Sequence, residues 1–296
     1  MKKIIFKGAG VALITPMLPD GSINWEELEK LVEYHIANGT DAIIACGTTA
    51  ESAAMTEQEH METVRFIYEK VNKRLPVIAS AGSNDTAASI RMAKEAKEIG
   101  ADGILAVTPY YNKTSQRGLV AHYNALADAT DLPVVLYNVP SRTGLNIQPA
   151  TYQELSKHPN IVAVKEASGN IAQAAEIKQL CGDDLQIYSG EDSLIVPMLS
   201  IGGIGVISVL SHVIPRETHD ICQLYFEGKV KESADLFLKY LDLANGLFMD
   251  VNPILVKAAL NLMGWNVGSC RLPLIDMDEA HVNSLKNILK GHGLIQ

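Results

Sequence analysis

IVAVKEAS, residues 161–168, sets four apolar residues in a row and then a lysine. A strand with one wet face alternates apolar and polar residues. This one does not, so it reads as a strand covered on both faces, as strands of parallel sheets are. Seven other runs share that character: GAGVALIT from 8, DAIIACG from 41, PVIASAG from 76, DGILAVTP from 102, PVVLYN from 133, LQIYSG from 185 and IGVISV from 204. Helical patterns fill the gaps between them. NWEELEKLVEYHIANG has Asn24 as its N-cap, Glu27 three residues on, apolar residues at 28, 31, 32 and 36, and a stop at Gly39. TEQEHMETVRFIYEKV repeats the device with Thr56 and Glu59, TAASIRMAKEAKEIG stops at Gly100, and similar segments start near 115, 151, 169, 191 and 212. Eight strands, each followed by a helix, predict an α/β fold, a (β/α)8 TIM barrel. An open doubly wound sheet is the competing reading. It would carry GxGxxG after its first strand, whereas GGIGVIS here precedes a strand.

The barrel with its last helix ends near residue 228, and residues 229–296 read as helices only, over 229–247, 253–264 and 278–290. Two domains are therefore expected, a catalytic barrel over 1–228 and a C-terminal helical appendage over 229–296. The apolar content of 47% is ample for a core, and the net charge of −9 with a pI near 5.4 argues against a nucleic-acid surface. It leaves an anionic substrate open, because a local site can be positive. No apolar run reaches the roughly 18 residues of a membrane span, and the apolar part of MKKIIFKG is too short for a secretory signal. Cys46, Cys181, Cys222 and Cys270 form no CxxC pair and read as free thiols. A cytoplasmic protein is expected.

In such barrels the reactive side chains stand at the C-terminal ends of strands. Those ends read CGTTAES, TPYYN, YNVPSRTG and KEAS. A lysine at such an end either snorkels its ammonium to water or is desolvated, so that the neutral amine can attack a ketone and form a Schiff base. The polar and aromatic crowd on the same rim favours the second reading for Lys165. Tyr137 is either a packed aromatic or a proton donor and acceptor beside the imine. Thr48 and Thr49 are turn formers or carboxylate binders, and Arg142 is a surface charge or a bidentate carboxylate fork. There is no HExxH, cysteine cluster or carboxylate-rich loop, and the imine chemistry calls for neither metal nor cofactor.

GTTAES, TPYYN, YNVPSRTG, VKEAS and GVISV stand in an order and spacing that closely resemble the dihydrodipicolinate synthase family, over nearly the whole chain. The resemblance implies condensation of pyruvate with L-aspartate 4-semialdehyde in the diaminopimelate–lysine route. It implies an imine on Lys165 and a proton relay of Tyr137, Thr49 and Tyr111, the last reaching into a neighbouring subunit's site. Thr48 and Thr49, with backbone near Ile207 and Gly190, would hold the pyruvate, Arg142 the aldehyde's carboxylate. A homotetramer of tight dimers is implied, with an allosteric lysine cleft at Ser52, Ala53, Glu57, His60, Asn84, Ala88 and Tyr110. Lysine-sensitive members usually carry histidine at the slot of Glu57 and glutamate at that of Ala88, so weak feedback is expected. Ala50 takes the place of the usual glycine of GTTGES; if that slot needed φ > 0, alanine would cost on the order of 1 kcal/mol. Sister aldolases, N-acetylneuraminate lyase and 2-keto-3-deoxygluconate aldolase, share the lysine and tyrosine, and SRTG after YNVP separates them from the synthases. A non-catalytic keto-acid sensor would tend to have lost a relay residue, and all four are present.

Overall fold

The structure, a computed structural model, describes residues 2–296. Its strands are β1 (Gly8–Ala12), β2 (Ala42–Ala45), β3 (Val77–Ser80), β4 (Gly103–Val107), β5 (Val134–Asn138), β6 (Ile161–Glu166), β7 (Gln186–Ser189) and β8 (Gly205–Ser208). Each pairs in parallel with the next, and β8 returns to β1, closing the barrel. The helices that cross between strands are α1 (Trp25–Ala37), α2 (Glu57–Val71), α3 (Thr86–Ile99), α4 (Gln116–Asp128), α5 (Pro140–Thr143), α6 (Pro149–Leu155), α7 (Ile171–Cys181), α8 (Ile195–Ser200) and α9 (Pro215–Phe226). Four more follow: α10 (Val230–Lys239), α11 (Leu241–Gly246), α12 (Ile254–Leu262) and α13 (Glu279–Gly291). The expected TIM barrel is the fold; the open sheet is not.

The capping signals operate as read. Asn24 accepts from the Glu27 amide, Thr56 and Glu59 form a reciprocal box, and Gly100 closes α3 at φ 104°. The predicted helix over 229–247 is broken at Tyr240. The break lets Phe237 pack beneath α9 and the barrel while Leu243, Ala244 and Leu247 join the larger core.

Two layers of apolar side chains account for the unbroken strand runs. Ile43, Val77, Ile104, Val134 and Ile187 face the helices, whereas Ile44, Ile78, Leu105, Val135 and Tyr188 fill the lumen. Strand β6 departs from this alternation. Val134 of β5 lies opposite Ile161 and Val135 opposite Ala163, so Val162 is an extra residue in the ladder. Ile161 and Val164 face the helices while Val162 and Ala163 both enter the lumen. Strict alternation from Ile161 would send Lys165 outward. The bulge reverses the parity and sets Lys165 opposite Tyr137, inside the barrel.

Candidate active site

Lys165 and Tyr137 end their strands side by side, with Lys165 Nζ 4.4 Å from the centroid of the Tyr137 ring. Both are buried, at 6% and 7% exposure, yet both line an open cavity of about 470 Å3 at the C-terminal mouth. An ammonium so placed is packed against an aromatic face and carries its stem through the lumen layer. The lysine does not snorkel to bulk water; it opens on this cavity.

Thr48, Thr49, Arg142 and Gly190 line the same cavity, as expected from the sequence. Thr48 and Thr49 lie in a single tight turn, Thr48–Ala50, directly after β2. Ala50 is buried without a left-handed backbone; the positive φ angles of this loop fall on Cys46 (55°) and Glu51 (62°). The strain feared for alanine in place of glycine does not arise at position 50. Glu51 instead fixes the loop from behind: Lys257 Nζ donates to Oε1 at 2.8 Å and the Arg271 amide to Oε2 at 2.7 Å, with the ion pair fully buried. Arg142 stands on α5, which Pro140 starts, and its Nη2 donates to the Asn252 carbonyl at 3.0 Å.

Two expected residues do not line this chain's cavity with their side chains. The Ile207 side chain packs in the lumen layer and the cavity wall beyond β8 is Val209. Tyr111, at φ 65°, is 92% exposed and does not reach its own chain's cavity. Of the seven cleft residues, Ser52, Ala53, Glu57, His60, Ala88 and Tyr110 surround a second cavity of about 410 Å3, and Asn84 lines a neighbouring groove. Thr48, Val139 and Arg142 are walls of both this cavity and the mouth cavity. Glu57 is engaged by Arg91, whose Nη2 lies 3.2 Å from Oε2.

Other wall residues were not anticipated. Asn252 Nδ2 donates to Thr49 Oγ1 at 2.9 Å, which leaves the threonine hydrogen free to point into the cavity. Ala244, Asn245 and Phe248 complete that side from the C-terminal helices. Asp192 and Glu191 follow β7; burial pushes both carboxyls upward. The strand-end rule that found Lys165 points equally at GED after β7, whereas nothing in the local sequence places Asn252 at a barrel mouth.

Fold and site together define a (β/α)8 barrel with an enclosed lysine–tyrosine pair at the catalytic end. The family model described as the dihydrodipicolinate synthetase family matches residues 5–292. A curated relative, the 4-hydroxy-tetrahydrodipicolinate synthase of Clostridium perfringens, is 56% identical over 292 residues, 99% of this chain and 100% of that protein. Dihydrodipicolinate synthase from Acinetobacter baumannii, solved in complex with pyruvate, superposes with a TM-score of 0.96 at 40% identity, covering 99% of this chain and 100% of that one. The DHDPS of Cyanidioschyzon merolae, solved with lysine bound, gives 0.96 at 42% identity and the same coverage. The chain belongs to the dihydrodipicolinate synthetase family.

Proposed function

We propose that this protein is a lyase that condenses pyruvate with L-aspartate 4-semialdehyde to 4-hydroxy-tetrahydrodipicolinate, a step of diaminopimelate and lysine biosynthesis. The observation that carries the reading is the Lys165–Tyr137 contact in a cavity that also holds Thr48, Thr49 and Arg142. The Lys165 amine attacks the pyruvate ketone; loss of water gives the imine. Its nitrogen then acts as an electron sink, a methyl proton leaves, and the enamine carbon attacks the aldehyde. The amino group of the second substrate attacks the imine carbon, closes the ring and releases the lysine.

In this reading Tyr137 and Thr49 carry protons to and from the imine and the new alkoxide. Thr48 and Thr49 hold the pyruvate carboxylate with backbone near Ile207 and Gly190, and Arg142 takes the carboxylate of the aldehyde. Tyr111 is directed away from its own cavity, which suits completion of a neighbouring subunit's relay in a homotetramer of tight dimers. Residues 229–296 act as a helical domain that closes one side of the cavity. No helix among the described residues is long and apolar enough to cross a membrane, and a cytoplasmic location is proposed. The second cavity, around Ser52, Glu57, His60 and Ala88, is the proposed lysine cleft.

The sister aldolase activities and a sensor role are not favoured by the relatives' names. The test supplies the purified protein with pyruvate and aspartate semialdehyde, and separately with N-acetylneuraminate. Turnover of the first pair is expected; turnover of the sugar acid alone would overturn the assignment.

A further inference from the structure

Asp192 is a buried carboxylate in the cavity wall, 3% exposed, and only half of it is spoken for. Its Oδ2 accepts from the backbone amides of Val209 at 3.0 Å and Leu210 at 2.9 Å, tying the end of β7 to the end of β8. Its Oδ1 is buried with no hydrogen-bond partner. The two backbone amides on Oδ2 are donors, which an anionic carboxylate accepts without needing a hydrogen of its own. Burial pushes its pKa up, while the Ser208 side chain, the two amides and the Lys165 charge draw it back.

Lys165 and Asp192 line the same cavity, at the ends of the adjacent strands β6 and β7. Lys165 comes from β6 with Tyr137 beside it on β5, and Arg142 on α5 is held by the Asn252 carbonyl. Glu191, next in the chain, is itself a carboxyl raised by burial. From α9 the buried Cys222 is a thiol pushed above its usual range, first by burial. His212, beyond β8, donates to the Val209 carbonyl and is held neutral, and Asp242 of α11 bonds His292 at the surface.

We propose that Asp192 is a positioning residue that holds a fixed negative charge toward the Lys165 nitrogen while its amide clamp keeps that charge in place. The inference rests on the Schiff-base reading given above. In that reaction the nitrogen gains positive charge twice, as the carbinolamine loses water and as the enamine attacks the aldehyde. A buried anion whose orientation is already set favours both steps.

The experiment measures borohydride trapping of pyruvate and steady-state turnover across pH, for the unaltered protein and for Asp192→Asn. An amide oxygen can still accept from Val209 and Leu210, so this variant keeps the clamp and loses the charge. The expected result is a fall in kcat on the order of 10- to 100-fold. The acid limb of the trapping rate should move to lower pH, because loss of a nearby anion disfavours the protonated amine. A folded Asp192→Asn protein with an unshifted limb would overturn the proposal and leave Asp192 as a clamp only, whatever its kcat. If that variant does not fold, Asp192→Glu and Asp192→Gln provide the same contrast: only the glutamine should move the limb, and equal profiles overturn the proposal. Failure of the unaltered protein to trap pyruvate on Lys165 would instead remove the underlying reading.

Discussion

Arg142 is the residue where the two substrates part company. It is exposed, it donates one bond to the Asn252 carbonyl, and the rest of its guanidinium is free for a carboxylate. Replacing it with alanine should leave the pyruvate adduct intact and weaken use of the aldehyde. A charged hydrogen bond is worth roughly 1.5–3 kcal/mol, about 10- to 150-fold in kcat/KM. Steady-state kinetics with each substrate varied check this; a loss confined to pyruvate would mean that Arg142 serves the other carboxylate. At this scale most of the site was legible in the sequence. Tyr137 and Lys165 lie near the ends of their strands and Thr48, Thr49, Arg142 and Gly190 follow theirs, and a barrel turns strand ends into one rim. Asn252 was not legible, because its contact with Thr49 depends on how a distant helical segment docks.

The element that positions the chemistry is β6 with its extra residue. Glu166, next to Lys165, faces outward and accepts from Asn138 Nδ2 at 3.1 Å, Tyr152 at 3.1 Å and the Ser168 amide at 2.8 Å. That buried network pins β5 to β6 just where Tyr137 meets Lys165. The strands were readable from their apolar runs, but the bulge was not, since it exists only in the pairing of two strands. The loop after β2 has a comparable anchor in the Glu51–Lys257 pair. Lys257→Met should strand the Glu51 carboxylate, cost roughly 3–5 kcal/mol of stability, and raise the KM for pyruvate through the displaced Thr48–Ala50 turn. Denaturant unfolding with pyruvate kinetics checks it; an unchanged stability would show that the pair contributes nothing net. In the second cavity, α3 presents Ala88 without a charge and Glu57 is already paired with Arg91. Lysine should therefore inhibit poorly, and half-inhibition below about 1 mM, a binding free energy beyond about −4 kcal/mol, would contradict that.

For the whole molecule, two buried imidazoles couple folding to pH. His212, between Val209 and the Ile14 amide, is held at a pKa of about 4 by burial. His35, edge-on to it at 5.6 Å, is lowered well below 6.5, first by burial and then by His212. The unfolded chain binds these protons at an ordinary 6.5 and the folded one does not, so stability is full above pH 6.5 and falls toward pH 4. His212 alone accounts for about 3 kcal/mol of that loss. His219, raised chiefly by its bond to Asp41, opposes it. Denaturation free energies at pH 5 and pH 7 check the sign; a flat or inverted profile would contradict it. The central claim is that barrel, bulge and rim together make Lys165 the nucleophile. The direct measurement is borohydride reduction in the presence of pyruvate, followed by mass mapping of peptides. A reduced pyruvate adduct is expected on Lys165 and on no other lysine; no adduct, or an adduct elsewhere, would show that Lys165 is not the nucleophile.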